Sequence, residues 1–478
     1  MAGISDLRSF SMRVYSYVSL GLAALVCFSV QPSACVAETK PNIIFVMVDD
    51  MGRDWISSYG ASHPTPNVDR LAAQGIRFEN CWCAPICTPT RMELLTGQYP
   101  FRTGWVRHHD VPRWGGKGFD WEKFTSFARV VKKAGYTTAI GGKWQINDFR
   151  KQPDALKRHG FDEHCVWTGW ETGNAPPSSK RYWDGYIMTN GKREVHKHGS
   201  EAVNDFLIDF IRRNKKRPFL AYYPMMLVHG PFLPTPLNRA KAPEGKAALY
   251  AGMVTYMDHL VGKLVAAVDE LGIADRTIIM FTGDNGSSAS GTLNGKPYPK
   301  GKGRTNDWGV HMPFLVRAPM FSKGGEVSDD LIDFTDMLPT FADLAGAELP
   351  AGVKLDGRSF VSSLRGDRSA KGKREWIFAQ IEDRRTIRDK HYKLDSSGSF
   401  WNISKDLLER KDLRESKDPD VVEARERLAK VLASLPQNAG GPFEGYKAGG
   451  GKARKAANPK KKDRQGRKAL KQKKKREG

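Results

Sequence analysis

Two acidic pairs, one cysteine, two lysines and a histidine carry the chemistry that this chain could do. Asp49-Asp50 and Asp284-Asn285 offer three carboxylates and an amide. That oxygen-only donor set suits Ca2+ or Mg2+ and not zinc, which prefers His and Cys. Cys87-Thr88-Pro89-Thr90-Arg91, continued by Leu95-Thr96-Gly97, sets a thiol four residues ahead of a guanidinium. The segment is rich in turn-formers and becomes helical at Met92-Glu93-Leu94-Leu95. A cysteine at such a loop-to-helix junction lies near amide donors and the positive end of a dipole, where anions bind. Lys143, His229 and Lys302 are spread along the chain and need the fold to bring them together.

The elements that would do so are legible as an alternation. Asn42 to Val48 is a continuous apolar run, as expected of a strand buried on both faces, and it stops at Asp49-Asp50. Thr137 to Ile140 reads as a strand running into Gly141-Gly142-Lys143. Phe219 to Tyr223 leads to His229, and Thr277 to Phe281 leads to Gly283-Asp284-Asn285-Gly286. Between them lie helices: Asn67 to Gln74, closed by Gly75; one after Ser200 with Val203, Phe206, Leu207, Phe210 and Ile211 on one face; and a long one through Met253 to Val268, ended by Gly272. Such alternation predicts a mostly parallel or mixed sheet with helices on both faces. Ligands then bind at the carboxyl ends of the strands, where these polar residues fall. Residues 287–307 read as a long loop, Pro313 to Arg317 as a strand, and Leu331 to Leu344 as helical across Pro339. Beyond Gly366 short strands (Trp376 to Gln380, Thr386 to Arg388, Tyr392 to Leu394) and a helix near Pro419 to Leu435 make a small α+β appendage.

The pattern around Cys87 resembles the signature of the type I sulfatases, and the resemblance runs from Pro41 to about Leu413. Its further pieces are Thr65-Pro66-Asn67-Val68-Asp69-Arg70-Leu71, Gly141-Gly142-Lys143-Trp144, His229-Gly230-Pro231-Phe232, Gly283-Asp284-Asn285-Gly286 and Lys302-Gly303, in family order. The resemblance implies an alkaline-phosphatase-like α/β fold, with a central mixed sheet flanked by helices and a small C-terminal subdomain. It implies hydrolysis of a sulfate ester, in a small molecule or a polysaccharide. Cys87 would be converted to formylglycine by a maturing enzyme, and its hydrated aldehyde would be the nucleophile. Asp49, Asp50, Asp284 and Asn285 would hold one calcium (or magnesium), with an oxygen of modified Cys87 completing the site. Arg91 would hold the hydrate, Lys143 and Lys302 would neutralise sulfate oxygens, and His229 would protonate the leaving alcohol. The logic is electrostatic: fixed cations stabilise charge building on the leaving oxygen, a proton donor relieves it, and a metal favours the ionised nucleophile.

One position departs from that pattern. Where the family commonly has histidine two residues after the Gly-Lys-Trp lysine, this chain has Gln145. Glutamine contacts substrate by hydrogen bonds but carries no proton at neutral pH. Gly309-Val310-His311 and Asp307 also differ from the usual residues, and concern loop packing more than chemistry. His108-His109-Asp110, with Trp105, Arg107, Arg113 and Trp114, reads as pocket rim, whose aromatic and cationic side chains suit a sulfated sugar. His196 and His198 lie in a polar, Lys/Arg-rich segment and read as solvated.

Length and charge bound the rest. A chain of 478 residues with 40% hydrophobic content is long enough for one large α/β domain and a smaller one. Its net charge of +23 is uneven: residues 452–476 carry 14 Lys and Arg against the single acid Asp463. That tail reads as disordered, with polyanion tethering as its functional reading and no dedicated nucleic-acid role. Arg8 and Arg13 followed by the apolar run Val18 to Val30 read as an export signal, so a periplasmic or extracellular location is expected. The expected divisions are 1–37 signal, 38–366 catalytic domain, 367–437 C-terminal subdomain and 438–478 basic tail. Cys81, Cys83, Cys87 and Cys165 of the mature chain leave disulfide pairing open. Two rival readings stand beside the sulfatase one: a phosphoester or phosphonate hydrolase on the same fold, and a catalytically silent polyanion-binding protein.

Overall fold

Six consecutive apolar residues, Ile43 to Val48, cannot turn a face to water on a strand, and they form β1 (Asn42–Val48) inside a sheet. Strand alternation divides them. Ile43, Phe45 and Met47 enter one core cluster, and Ile44, Val46 and Val48 enter the other. The sheet is therefore sandwiched between two apolar layers. The computed structural model describes residues 40–171, 173, 177–367 and 373–441. The expected export signal and residues 442–478 of the basic tail lie outside them.

The strands that follow are β2 (Ile76–Trp82), β3 (Thr137–Lys143), β4 (Glu163–Trp167), β5 (Trp183–Thr189), β6 (Lys192–His198), β7 (Phe219–Pro224), β8 (Thr277–Gly283), the short hairpin β9 (Gly291–Leu293) and β10 (Lys296–Tyr298), β11 (His311–Arg317) and β12 (Glu326–Asp333). Ten of them form one sheet in the order β12-β2-β11-β8-β1-β7-β3-β4-β5-β6. β8, β1, β7, β3 and β4 are parallel neighbours, whereas β11, β5 and β6 run antiparallel to theirs, so the sheet is mixed. The helix Gly199–Asn214 and the long helix Lys246–Glu270 cover one face; Phe127–Lys133 and Met337–Ala345 cover the other.

A second, antiparallel sheet of β13 (Ile377–Ile381), β14 (Arg384–Arg388), β15 (Tyr392–Asp395) and β16 (Phe400–Asn402) packs with the helix Pro419–Ser434 around Ile387, Leu394, Phe400 and Leu428. Ile377 and Ala379 bury against Trp82 and Leu331 of the main sheet and Val310 just before β11. Among the described residues no helix is long and apolar enough to cross a membrane.

Several local expectations are corrected. Residues from Leu331 to Asp333 end strand β12, and the helix begins only at Met337. The break is chemical: Asp333 and Asp336 form a capping box that stops the strand and starts a new turn. The 287–307 segment contains the β9–β10 hairpin. Residues 166–194 hold the end of β4, all of β5 and the start of β6. His198 is buried and not solvated; its ring lies between Trp183 and Tyr256 at 5.0 and 5.2 Å. All four described cysteines are free thiols.

Candidate active site

The register of the central strands assembles the acidic groups. Val48 of β1 pairs with Gly283 of β8, so the residues that follow, Asp49 and Asp284, leave the sheet side by side. No side chain fits at Gly283, where a Cβ would stand 1.9 Å from the Met51 carbonyl oxygen. The Asp284 N–H donates to the Val48 carbonyl at 2.9 Å, and the Asp50 N–H donates to Asp284 Oδ1 at 2.9 Å. Asp50 adopts a left-handed backbone, φ 66°, which is costly for a residue with a side chain. The turn is held by Tyr250, whose hydroxyl donates to the Asp50 carbonyl at 2.7 Å.

Lys143 arrives from β3, two strands away in the same parallel set. Gly142, φ +130°, lets the chain pass the Pro224 carbonyl of β7. Lys143 Nζ then donates to Asp49 Oδ2 at 2.7 Å. His229 follows β7, and its Nε2 lies 3.7 Å from Asp50 Oδ2. Its Nδ1 is 2.7 Å from the Gly230 carbonyl. A carbonyl can only accept and Arg181 Nη1, 3.3 Å from the same Nδ1, can only donate; the shorter contact to Gly230 favours the hydrogen on Nδ1, with Nε2 turned to the site. Lys302, on the loop after β10, donates to Asp50 Oδ2 at 2.6 Å.

Cys87 opens helix α1 (Cys87–Thr96), every residue of which is buried. Thr90 Oγ1 donates to the Ala84 carbonyl at 2.8 Å and fixes the approach to the helix. Gly97 closes it in the left-handed conformation, donating to the Glu93 carbonyl at 2.9 Å. Arg91, one turn along, donates to Asp284 Oδ2 at 2.8 Å and stands 3.9 Å from Asp49 Oδ1. Asp49, Asp50, Cys87, Arg91, Lys143, His229, Asp284, Asn285 and Lys302 thus meet in one place.

Burial and charge compete there. Burial pushes Asp50 up, but Lys302 and His229 outweigh it and hold the carboxyl at about 2. Burial opposes Asp49 in the same way, and Lys143, His229 and Arg91 still hold it far below the usual range. Asp284 is pushed well up by burial and by Asp49. The cluster has the chemistry of a cation site. Ligand atoms of Asp49, Asp50 and His229 lie within 4.8 Å of one another. Asp49 Oδ1 and Asn285 Oδ1 are buried and accept no hydrogen bond, although buried acceptors are nearly always satisfied. A hard divalent cation among Asp49, Asp50, Asp284 and Asn285 would satisfy them.

Sequence reasoning missed one neighbour of the thiol. His108, assigned to the rim, has Nδ1 3.3 Å from Cys87 Sγ and 2.8 Å from Thr88 Oγ1. Burial, then Lys143 and Lys302, lower it to about 3, so it is a neutral imidazole. No spacing tied it to Cys87; only the doublet His108-His109 beside Asp110 hinted at a site. Gln145 is buried, and its Nε2 donates to Asp110 Oδ2 at 3.0 Å. Arg181 was also missed: its guanidinium lies over Trp167, 3.9 Å from the ring centroid, with Nη1 3.3 Å from His229 Nδ1. Asp307 and His311, by contrast, form a buried cluster with Arg53 and Arg388. That accords with a packing role.

The family model described as Sulfatase matches residues 41–347. The chain is 30% identical to steryl-sulfatase of Mus musculus over 444 residues, covering 75% of this chain and 70% of that protein. It is 32% identical to N-acetylgalactosamine-6-sulfatase of Homo sapiens over 355 residues, covering 69% of this chain and 66% of that one. The crystal structure of Ps i-CgsB is similar with a TM-score of 0.73 at 25% identity, covering 85% of this chain and 96% of that chain. The large mixed sheet flanked by helices, with its small C-terminal sheet, is the alkaline-phosphatase-like fold.

Proposed function

The chain belongs to the sulfatase family and is a sulfuric ester hydrolase, and from that premise we propose that it is an exported enzyme that works through Cys87 converted to formylglycine, on a sulfated carbohydrate in preference to an aryl sulfate. The observation that carries the reading is the position of Cys87: the first residue of a buried helix, in one cluster with Arg91, Lys143, His229 and Lys302.

The proposed division of labour follows the contacts. Lys143 and Lys302 are the cations available to a sulfate group, each now paired with one carboxylate of the cluster. In the loaded site they neutralise sulfate oxygens. Arg91 holds the modified residue 87 from one helical turn away. His229, its Nδ1 anchored on Gly230, presents Nε2 to the leaving alcohol; burial holds the ring neutral, so Nε2 first takes up a proton once the anionic ester is bound and then gives it to the leaving oxygen. His108 faces residue 87 from the other side and orients its oxygen. Gln145 acts through Asp110. One calcium or magnesium ion would sit among Asp49, Asp50, Asp284 and Asn285, favouring the ionised form of the nucleophile. Formylglycine would supply a hydroxyl nucleophile that a thiol cannot.

The carbohydrate assignment is supported by relatives: Ps i-CgsB has been solved in complex with k-i-k-neocarrahexaose, and the human relative is named for a sulfated amino sugar. Export rests on the basic and apolar start of the chain, and the division at about residue 366 on the change to short strands. A maturing enzyme is the partner that conversion of Cys87 requires; the basic tail is proposed to tether the enzyme to polyanions. The test is direct. In a host with a maturation system, the Cys87 peptide should be about 18 Da lighter than the unmodified one, the difference between a thiol and an aldehyde. The same preparation should release sulfate from sulfated glycans and leave matched phosphate esters intact. An unmodified Cys87 in active enzyme would sink the formylglycine mechanism.

A further inference from the structure

Trp114 and Trp170 are 48% and 39% exposed, although both are large and apolar. Two neighbouring exposed indoles on a soluble face call for a ligand. Between them lies Arg113, with Cζ 5.5 Å from the Trp114 ring and 4.9 Å from the Trp170 ring. Among the described residues no ion pair engages its guanidinium. The Trp114 ring is 5.5 Å from that of His108, which touches Cys87. One imidazole therefore separates this aromatic and cationic surface from the proposed nucleophile.

Both arms of the surface are pinned to the same pair of residues. Asp110 Oδ1 accepts from the Arg113 N–H at 3.3 Å and caps the turn Val111–Trp114. Its other oxygen accepts from Gln145. Trp170 follows Gly169, φ +90°, where a Cβ would stand 3.0 Å from Gln145 Cβ and 3.1 Å from Asp110 Oδ1. A histidine in place of Gln145 would lack the amide that holds Asp110. Gln145 and Asp110 thus stand behind both arms of the rim.

We propose that Trp114, Arg113 and Trp170 form a binding subsite for a neighbouring sugar ring of a sulfated oligosaccharide, next to the ring whose ester is cleaved. The proposal rests on the sulfate-ester reading above and commits its substrate to a saccharide longer than one unit. A pyranose has an apolar C–H face that packs flat on an indole. Its second sulfate offers the planar pair of oxygens that a guanidinium meets with two hydrogen bonds. A small aryl sulfate reaches Cys87 without touching this surface.

The test uses matured full-length chain, p-nitrophenyl sulfate as the small probe, and carrageenan- and chondroitin-type oligosaccharides of graded length. Trp114→Ala and Trp170→Ala should each raise KM for a sulfated tetrasaccharide about tenfold, the order expected from losing one aromatic contact. For Trp170→Ala, which does not touch His108, kcat/KM for the aryl ester should stay within about twofold, and Trp114→Phe, which keeps a ring against His108, should keep most of the tetrasaccharide affinity. An equal loss on both probes, an unchanged tetrasaccharide KM, or a wild type that cleaves the aryl ester but no saccharide would overturn the subsite. A wild type with converted residue 87 that frees sulfate from no probe would overturn instead the reading of the site beneath it.

Discussion

His108 Nδ1 stands 3.3 Å from Cys87 Sγ and reaches it from the chain beyond helix α1. The neighbouring loop residue Gln145 gives its amide to Asp110. An imidazole therefore serves residue 87 from a direction that the Gly-Lys-Trp motif does not encode. His108→Ala should lower kcat about 10²-fold with KM for a small sulfate ester little changed, the usual size of a lost acid–base or orienting group. Steady-state kinetics on fully converted enzyme measures it, and an unchanged kcat would remove His108 from the reaction. Adding Gln145→His to that variant should recover part of the loss.

Cation removal is the second test. Asp49, Asp50 and Asp284 crowd together, and two buried oxygen acceptors go unmet. Dialysis against EGTA should lower Tm, and returning Ca2+ or Mg2+ should restore it. An ion at a hundredfold its Kd adds about 2.7 kcal/mol to a fold that binds it only when native. Thermal melts with each ion identify the better occupant. No shift with either would refute a cation site at these residues.

Asp307 should matter to stability and not to chemistry. It pairs with Arg53 at 3.0 Å, His311 at 3.0 Å and Arg388 at 3.5 Å, all buried. Asp307→Ala leaves two buried guanidinium groups without their carboxylate, a change that costs about 3–5 kcal/mol. Urea unfolding should show that loss, while the kcat of the remaining folded enzyme stays near wild type.

His159 gives a pH signature. It is fully buried, stacked on Phe119 at 3.9 Å, and burial lowers it from 6.5 to about 3. The unfolded chain takes up that proton near pH 6.5 and the native chain only near 3. Its contribution is therefore full above pH 6.5 and is lost progressively as the pH falls toward 3. Between pH 6.5 and 5.0 wild type should lose about 2 kcal/mol more than His159→Gln. Urea titrations of both proteins at both pH values measure the difference; equal losses would contradict it.

What the sequence made legible was what local pattern encodes. Ile43 to Val48 and Thr277 to Phe281 are apolar on both faces, so their strands and the acids after them could be read directly. Strand β2 was not read although Ile76-Arg77-Phe78-Glu79 has the alternation of a half-buried strand; the alternation lapses at Asn80, before the buried Cys81-Trp82. Residues around Leu331 read as helix because one apolar run spans both β12 and the following helix; the Asp333–Asp336 box was the overlooked punctuation. The strand-end residues converge because their strands are parallel neighbours, which alternation implies. His108 and Trp170 join the same region by loop return, and no periodicity records where a loop returns.

Cys87 is 1% exposed, on a helix with every residue buried. An enzyme that oxidises its thiol needs the segment extended and in hand, and the finished protein offers neither. On the proposed mechanism the burial of this one side chain therefore sets a clock: the conversion would have to precede the docking of helix α1. Chains that folded first would then keep their thiol, and the converted fraction of a preparation would report a race between a modifying enzyme and the collapse of this core.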